Sequence, residues 1–141
     1  MDFATYTRLG FTTLTEEQFT EEQFKGQCND AKLLIDNLTN DYYITHDVSD
    51  DLSSDVPFIV YRATQYQKAI AYQCEFAVAS GASTIYEQKA GNLKTVSVGR
   101  TSLSTDGNSI SDATYGNTGV VTTAVDLLAR TGLLYRGVRA W

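Results

Sequence analysis

The chain contains one proline, one histidine, one tryptophan and two cysteines in 141 residues. With so little proline and only ten glycines to interrupt it, the sequence favours helices joined by a few loops. Cys28 and Cys74 are too few for a disulfide framework and wrongly spaced for a zinc site. Each lies among apolar residues in a helical pattern, so both read as small buried thiols in a reducing compartment. No apolar run approaches the roughly 20 residues needed to span a bilayer. Met1-Asp2-Phe3-Ala4 lacks the basic and apolar regions of a signal peptide. A chain made and kept in a cytosol-like compartment, with no membrane partner, is expected. Runs of Lys and Arg are also missing, and the net charge is −6, which argues against gripping nucleic-acid phosphates. The acidic balance suits a surface past which DNA slides without sticking, and it equally suits ordinary solubility.

Catalytic patterns are missing too. His46, the sole histidine, lies in an acidic stretch with no nearby cysteine or serine motif, and no G-x-S-x-G nucleophile elbow occurs. There is no G-x-G-x-x-G. Gly132 and Gly137 have a phosphate-loop spacing, but Val138-Arg139 stands where that loop needs lysine and a hydroxyl residue. The acidic stretch 45–55 (His46, Asp47, Asp50, Asp51, Asp55) lacks the glycine and closing glutamate of a calcium loop, and reads as a solvated loop. Asn37-Leu38-Thr39 matches a glycosylation acceptor but falls within a helix of a cytosolic chain. No enzyme activity, metal or cofactor is expected.

What is present suits one domain over 1–141, mainly α. The expectation is a small bundle of three to four helices with an extended β-like loop and a C-terminal docking tail. A chain of this length buries roughly two-thirds of its unfolded surface, and an apolar fraction of 43% makes disorder an unneeded reading. The first thirteen residues (Phe3, Tyr6, Leu9, Phe11) fit one short turn or an extended strip against the body. Thr15-Glu16-Glu17-Gln18 and Thr20-Glu21-Glu22-Gln23 each match a capping box, with acidic residues at the positive end of a helix dipole. Phe24, Cys28, Ala31, Ile35, Leu38 and Tyr42 then recur at threes and fours, predicting a helix from about 16 or 21 to 41. Ile35 and Ile70 should be core; Lys32 and Lys68 should be exposed positions that tolerate alanine.

Pro57 suits a first helical position, capped by Ser54 or Asp55, and opens a predicted helix 57–80. That helix carries two apolar stripes, Ile59-Ala63-Tyr66-Ile70-Cys74-Ala77 and Phe58-Tyr61-Ala69-Tyr72-Phe76, so two of its faces should be covered, either centrally in its own domain or by a neighbouring subunit. Gly81 is placed to end it. Over 94–104, including Val96, Val98, Arg100 and Leu103, period-two alternation on both sides of Gly99 predicts strand or extended loop. Such a ribbon is marginal alone and wants a partner, either its own body or an adjacent chain. Asp106-Gly107-Asn108 is turn chemistry. A last helix is expected over about 117–131, capped by Ser111 or Asp112, clearest from Val120 to Arg130 and ended by Gly132. The tail, 132–141, carries Leu133, Leu134, Tyr135, Arg136, Val138, Arg139 and Trp141. Tyr, Trp and Arg are over-represented at interface hot spots. The tail reads as a docking element, with folding back on its own core as the other possibility.

Several segments in order resemble a known family. They are Leu14-Thr15-Glu16-Glu17-x-Phe19, Ala31-x-x-Leu34-Ile35-Asp36-x-x-Thr39, Ala63-x-x-x-Gln67-x-Ala69-x-Ala71-x-Gln73-x-Glu75-Phe76, Val96-Ser97-Val98-Gly99, and Thr131-Gly132-Leu133-Leu134-Tyr135-Arg136-Gly137-Val138. The order is similar to the head-to-tail connector (adaptor, or head-completion) proteins of long-tailed bacteriophages, over nearly the whole chain. The Tyr115–Thr123 stretch is richer in Gly and Thr than that pattern. The resemblance implies a virion subunit assembled in the host cytoplasm as a homo-oligomeric, dodecameric ring under the portal. The tail and the extended loop would bind the portal and neighbouring subunits, and the other face would receive a stopper or tail-completion protein. DNA would pass through the lumen without specific binding. The free subunit is expected to be monomeric or weakly associated. Other readings are a different neck or tail-completion component, or a helical protein-binding regulatory module.

Overall fold

A computed structural model describes residues 1–80, 95–98, 101–104, 114 and 118–134. Among these, six helices and one two-stranded ribbon occur: α1 (Phe3–Arg8), α2 (Glu21–Leu38), α3 (Tyr42–Thr45), α4 (Val48–Leu52), α5 (Pro57–Ser80), β1 (Thr95–Val98), β2 (Thr101–Ser104) and α6 (Thr122–Leu128). The chain is therefore mainly helical, as its periodicity predicts.

The two capping boxes have different fates. At Thr20 the Oγ accepts from the Gln23 N–H at 3.2 Å and the Gln23 amide oxygen accepts from the Thr20 N–H at 3.0 Å, so α2 starts there. At Thr15 the Gln18 side chain reaches back to the Thr15 N–H, but only a turn results. α2 ends earlier than expected, at Leu38, because Asn40 and Asp41 turn into the left-handed region with φ of 59° and 58°. The N-terminal strip resolves as α1, capped by Asp2 and seated by Phe3, whose ring stacks on Phe24 at 3.9 Å. The acidic stretch is partly helical. Asp47 caps α4, while the Asp51 carboxylate accepts from Tyr43 and from Arg62.

α5 starts at Pro57 as predicted and runs through the centre, packing against α2, α4, α6 and β1. Its first stripe is buried at Ala63, Tyr66, Ile70, Cys74 and Ala77. The second stripe changes character along its length: Ala69 and Phe76 are buried, whereas Phe58 and Tyr61 are exposed. Burial of Ile35, Ile70 and both cysteine side chains matches expectation. Lys32 and Lys68 depart from it, both being partly buried. The Lys32 Nζ bridges the buried carboxylate of Asp36, so its loss would strip a charge partner.

The last helix is shorter than the predicted 117–131. It begins after Val121 and ends at Leu128, and a turn then reaches Gly132 with φ of +79°. Val121 supplies no side-chain cap. The expected caps Ser111 and Asp112, and Gly81 as the end of α5, lie outside the described residues. α6 is held to α5 by apolar packing of Val120, Ala124, Val125 and Leu128, and by Gln73. The Gln73 amide donates to the Gly119 carbonyl at 3.0 Å and accepts from the Val121 N–H at 2.7 Å.

Candidate interaction surfaces

The expected docking residues divide into three groups. Leu133 is 5% exposed and belongs to the core, and Leu134 packs against it. This corrects the tail's boundary. After Gly132 the chain buries its first leucine in the core, because an aliphatic side chain gains about 2 kcal/mol from leaving water. The β-ribbon holds Val96, Val98 and Leu103. It is antiparallel, pairing Val96 with Leu103 and Val98 with Thr101. β1 lies beside α5, so the ribbon has a neighbour within its own subunit, which the sequence pattern left open. Arg100, Tyr135, Arg136, Val138, Arg139 and Trp141 lie outside the described residues.

The structure also shows which part of the second α5 stripe stays open, where the sequence offered either a central helix or one shared with a neighbouring subunit. Val56 (50% exposed), Phe58 (50%) and Tyr61 (38%) stand at the opening turns of α5, with the Phe58 and Tyr61 ring centroids 6.3 Å apart. Ile44 and Leu33 are exposed elsewhere, on α3 and α2. The signal for the α5 surface was present as the N-terminal end of the second stripe, where period alone does not say which turns are covered. Next to it, Arg62 is fixed by the Asp51 carboxylate at 3.0 Å and lies 4.7 Å from the centre of the Tyr42 ring. The base of this end of α5 is thus tied to α3 and α4, while its apolar side chains stay open.

The polar groups of the interior form structural pairs. Tyr6 Oη donates to Glu75 and accepts from the Leu14 N–H at 3.1 Å, which pins the N-terminal strip to α5. Tyr66 Oη donates to Asp36, joining α5 to α2. Burial first, and then the carboxylate partner, pushes the phenols of Tyr6 and Tyr66 well above their ordinary value. A cleft of about 270 Å³ opens beside Leu14, Phe19, Glu75 and Val78. Its one carboxylate, Glu75, is already engaged by Tyr6. Among the described residues, no group of three or more His, Cys, Asp and Glu is placed to hold a metal. His46 is exposed and stacks flat on Tyr42 at 4.0 Å. No described helix is long and apolar enough to cross a membrane.

No protein-family model matches the chain, and no solved structure matches it. It is 35% identical to "Uncharacterized protein ORF4" of Lactococcus phage mv4 over 121 residues, 83% of this chain and 84% of that protein. It is 34% identical to "Uncharacterized protein ORF4" of Lactococcus phage LL-H over 132 residues, 91% of this chain and 92% of that protein. The chain belongs to the family of these phage ORF4 proteins. The match to the phage LL-H protein runs along most of both chains and not over a single shared motif.

Proposed function

We propose that this phage ORF4-family chain is a head-to-tail connector subunit, one of a ring of copies under the portal that joins the DNA-filled head to the tail. The observation that carries the reading is the uncovered apolar start of α5, where Val56, Phe58 and Tyr61 lie open beside the Arg62–Asp51 ion pair that ties α5 to α4. Exposed aromatic side chains on a fixed base supply the area and low ordering cost that subunit interfaces use. The phage relatives and the order of sequence segments support the same reading. In it, the α5 surface contacts the neighbouring copy, and the arginine- and aromatic-containing residues from 135 onward engage the portal. A stopper or tail-completion protein occupies the far side. The role is mechanical, with no catalysed reaction. A net charge of −6 suits a channel that DNA passes without adhering.

The test is a nonsense mutation in the gene of a phage that encodes the chain. Electron microscopy of the lysate should show DNA-packed heads without tails beside free, complete tails, with plaque formation restored by the gene in trans. Normal tailed particles, or absence of the protein from purified virions by mass spectrometry, would overturn the reading.

A further inference from the structure

The α2–α5 packing brings together two groups that no role has yet been given. The Cys28 and Cys74 sulfurs lie 3.6 Å apart, although 46 residues separate them in sequence. Both are reduced and buried. We infer that Cys28 and Cys74 are an oxidative modification site, a thiol pair that closes into an intrachain disulfide joining α2 to α5 when it meets a peroxide. A disulfide requires about 2.05 Å between sulfurs. The approach still needed is on the order of 1.5 Å, within reach of small side-chain rotations across a packed helix pair.

The chemistry balances with hydrogen peroxide as the named oxidant. A Cys28 thiolate attacks one peroxide oxygen, the O–O bond breaks, and hydroxide leaves, which gives Cys28 sulfenic acid. The Cys74 sulfur then attacks the Cys28 sulfur, the S–O bond breaks, and a second hydroxide leaves. Those two hydroxides take up the two thiol protons, so two thiols and one peroxide become one disulfide and two waters. The thiols are oxidised and the peroxide is reduced. The geometry suits this order, because a hydrogen bond across the 3.6 Å sulfur contact stabilises the thiolate form of one cysteine while the other stands in place to resolve it. Peroxide is little larger than water and enters through local opening of α2. That helix carries an exposed glycine, Gly26, two residues before Cys28, a residue that weakens a helix interior.

The cross-link does not rest on the connector reading, and it can be tested on the purified full-length chain. Folded protein is treated with a small excess of hydrogen peroxide, then denatured in an alkylating agent and weighed intact. The expected species has lost two hydrogens, takes up no alkyl group, runs as a monomer on a non-reducing gel and returns to two alkylated thiols after dithiothreitol. Its melting temperature should rise by about 5–10 °C, because a closed loop of this length restricts the unfolded chain. Cys74→Ser should show oxygen addition at Cys28 and no rise in melting temperature. Two alkylatable thiols surviving peroxide would overturn the proposal, as would sulfinic acid on the wild-type chain or disulfide-linked dimers.

Discussion

Gln73 binds one stretch of backbone with both ends of its amide, the Gly119 carbonyl and the Val121 N–H. Gln73→Leu keeps the volume, removes both bonds and strips the buried Val121 N–H of its acceptor. Urea unfolding should show a loss of about 1–3 kcal/mol. The phenols make a second prediction at this scale. Burial and carboxylate partners raise Tyr6 and Tyr66 above the ordinary value of 10.0, and burial raises Tyr43 as well. Above about pH 10 the unfolded chain therefore releases tyrosine protons that the folded chain keeps. The native state then binds more protons than the unfolded one, so stability is full below pH 10 and falls as pH rises beyond it. Urea midpoints should hold level from pH 8 to about 9 and drop progressively from about pH 10 to 11, less steeply in Tyr6→Phe.

Among the elements, the two threonine capping boxes give a paired experiment. Thr20→Ala removes a cap that α2 uses and should cost about 1 kcal/mol, whereas Thr15→Ala should cost no more than about 0.5 kcal/mol, both read from thermal melts. Periodicity and capping chemistry made α2 and α5 legible in the sequence, since each has a long apolar stripe and a defined start. The end of α2 was not legible, because it depends on Asn40 and Asp41 adopting left-handed geometry, which nothing in the apolar pattern requires. α1, α3 and α4 are too short to show a period, and their stability comes from packing and from caps such as Asp2 and Asp47. The candidate surface was half legible. Phe58 and Tyr61 lie on a stripe read correctly as apolar, but exposure at one end of a helix depends on how far α4 and α2 extend across it.

For the molecule as a whole, the connector reading proposed above makes the C-terminal boundary the division between stability and docking. Leu133→Ala should destabilise the fold by about 2–5 kcal/mol, because Leu133 is buried in the core. A chain ending at Leu134 retains that anchor and should melt within about 2 °C of the full chain. It should fail to co-sediment with portal-bearing heads; retained co-sedimentation would transfer docking to the α5 surface or the ribbon. The Gln73 anchor has a wider consequence. It ties the start of α6 to the middle of α5 directly, so the position of α6 is addressed through space and not only by the chain that leads to it.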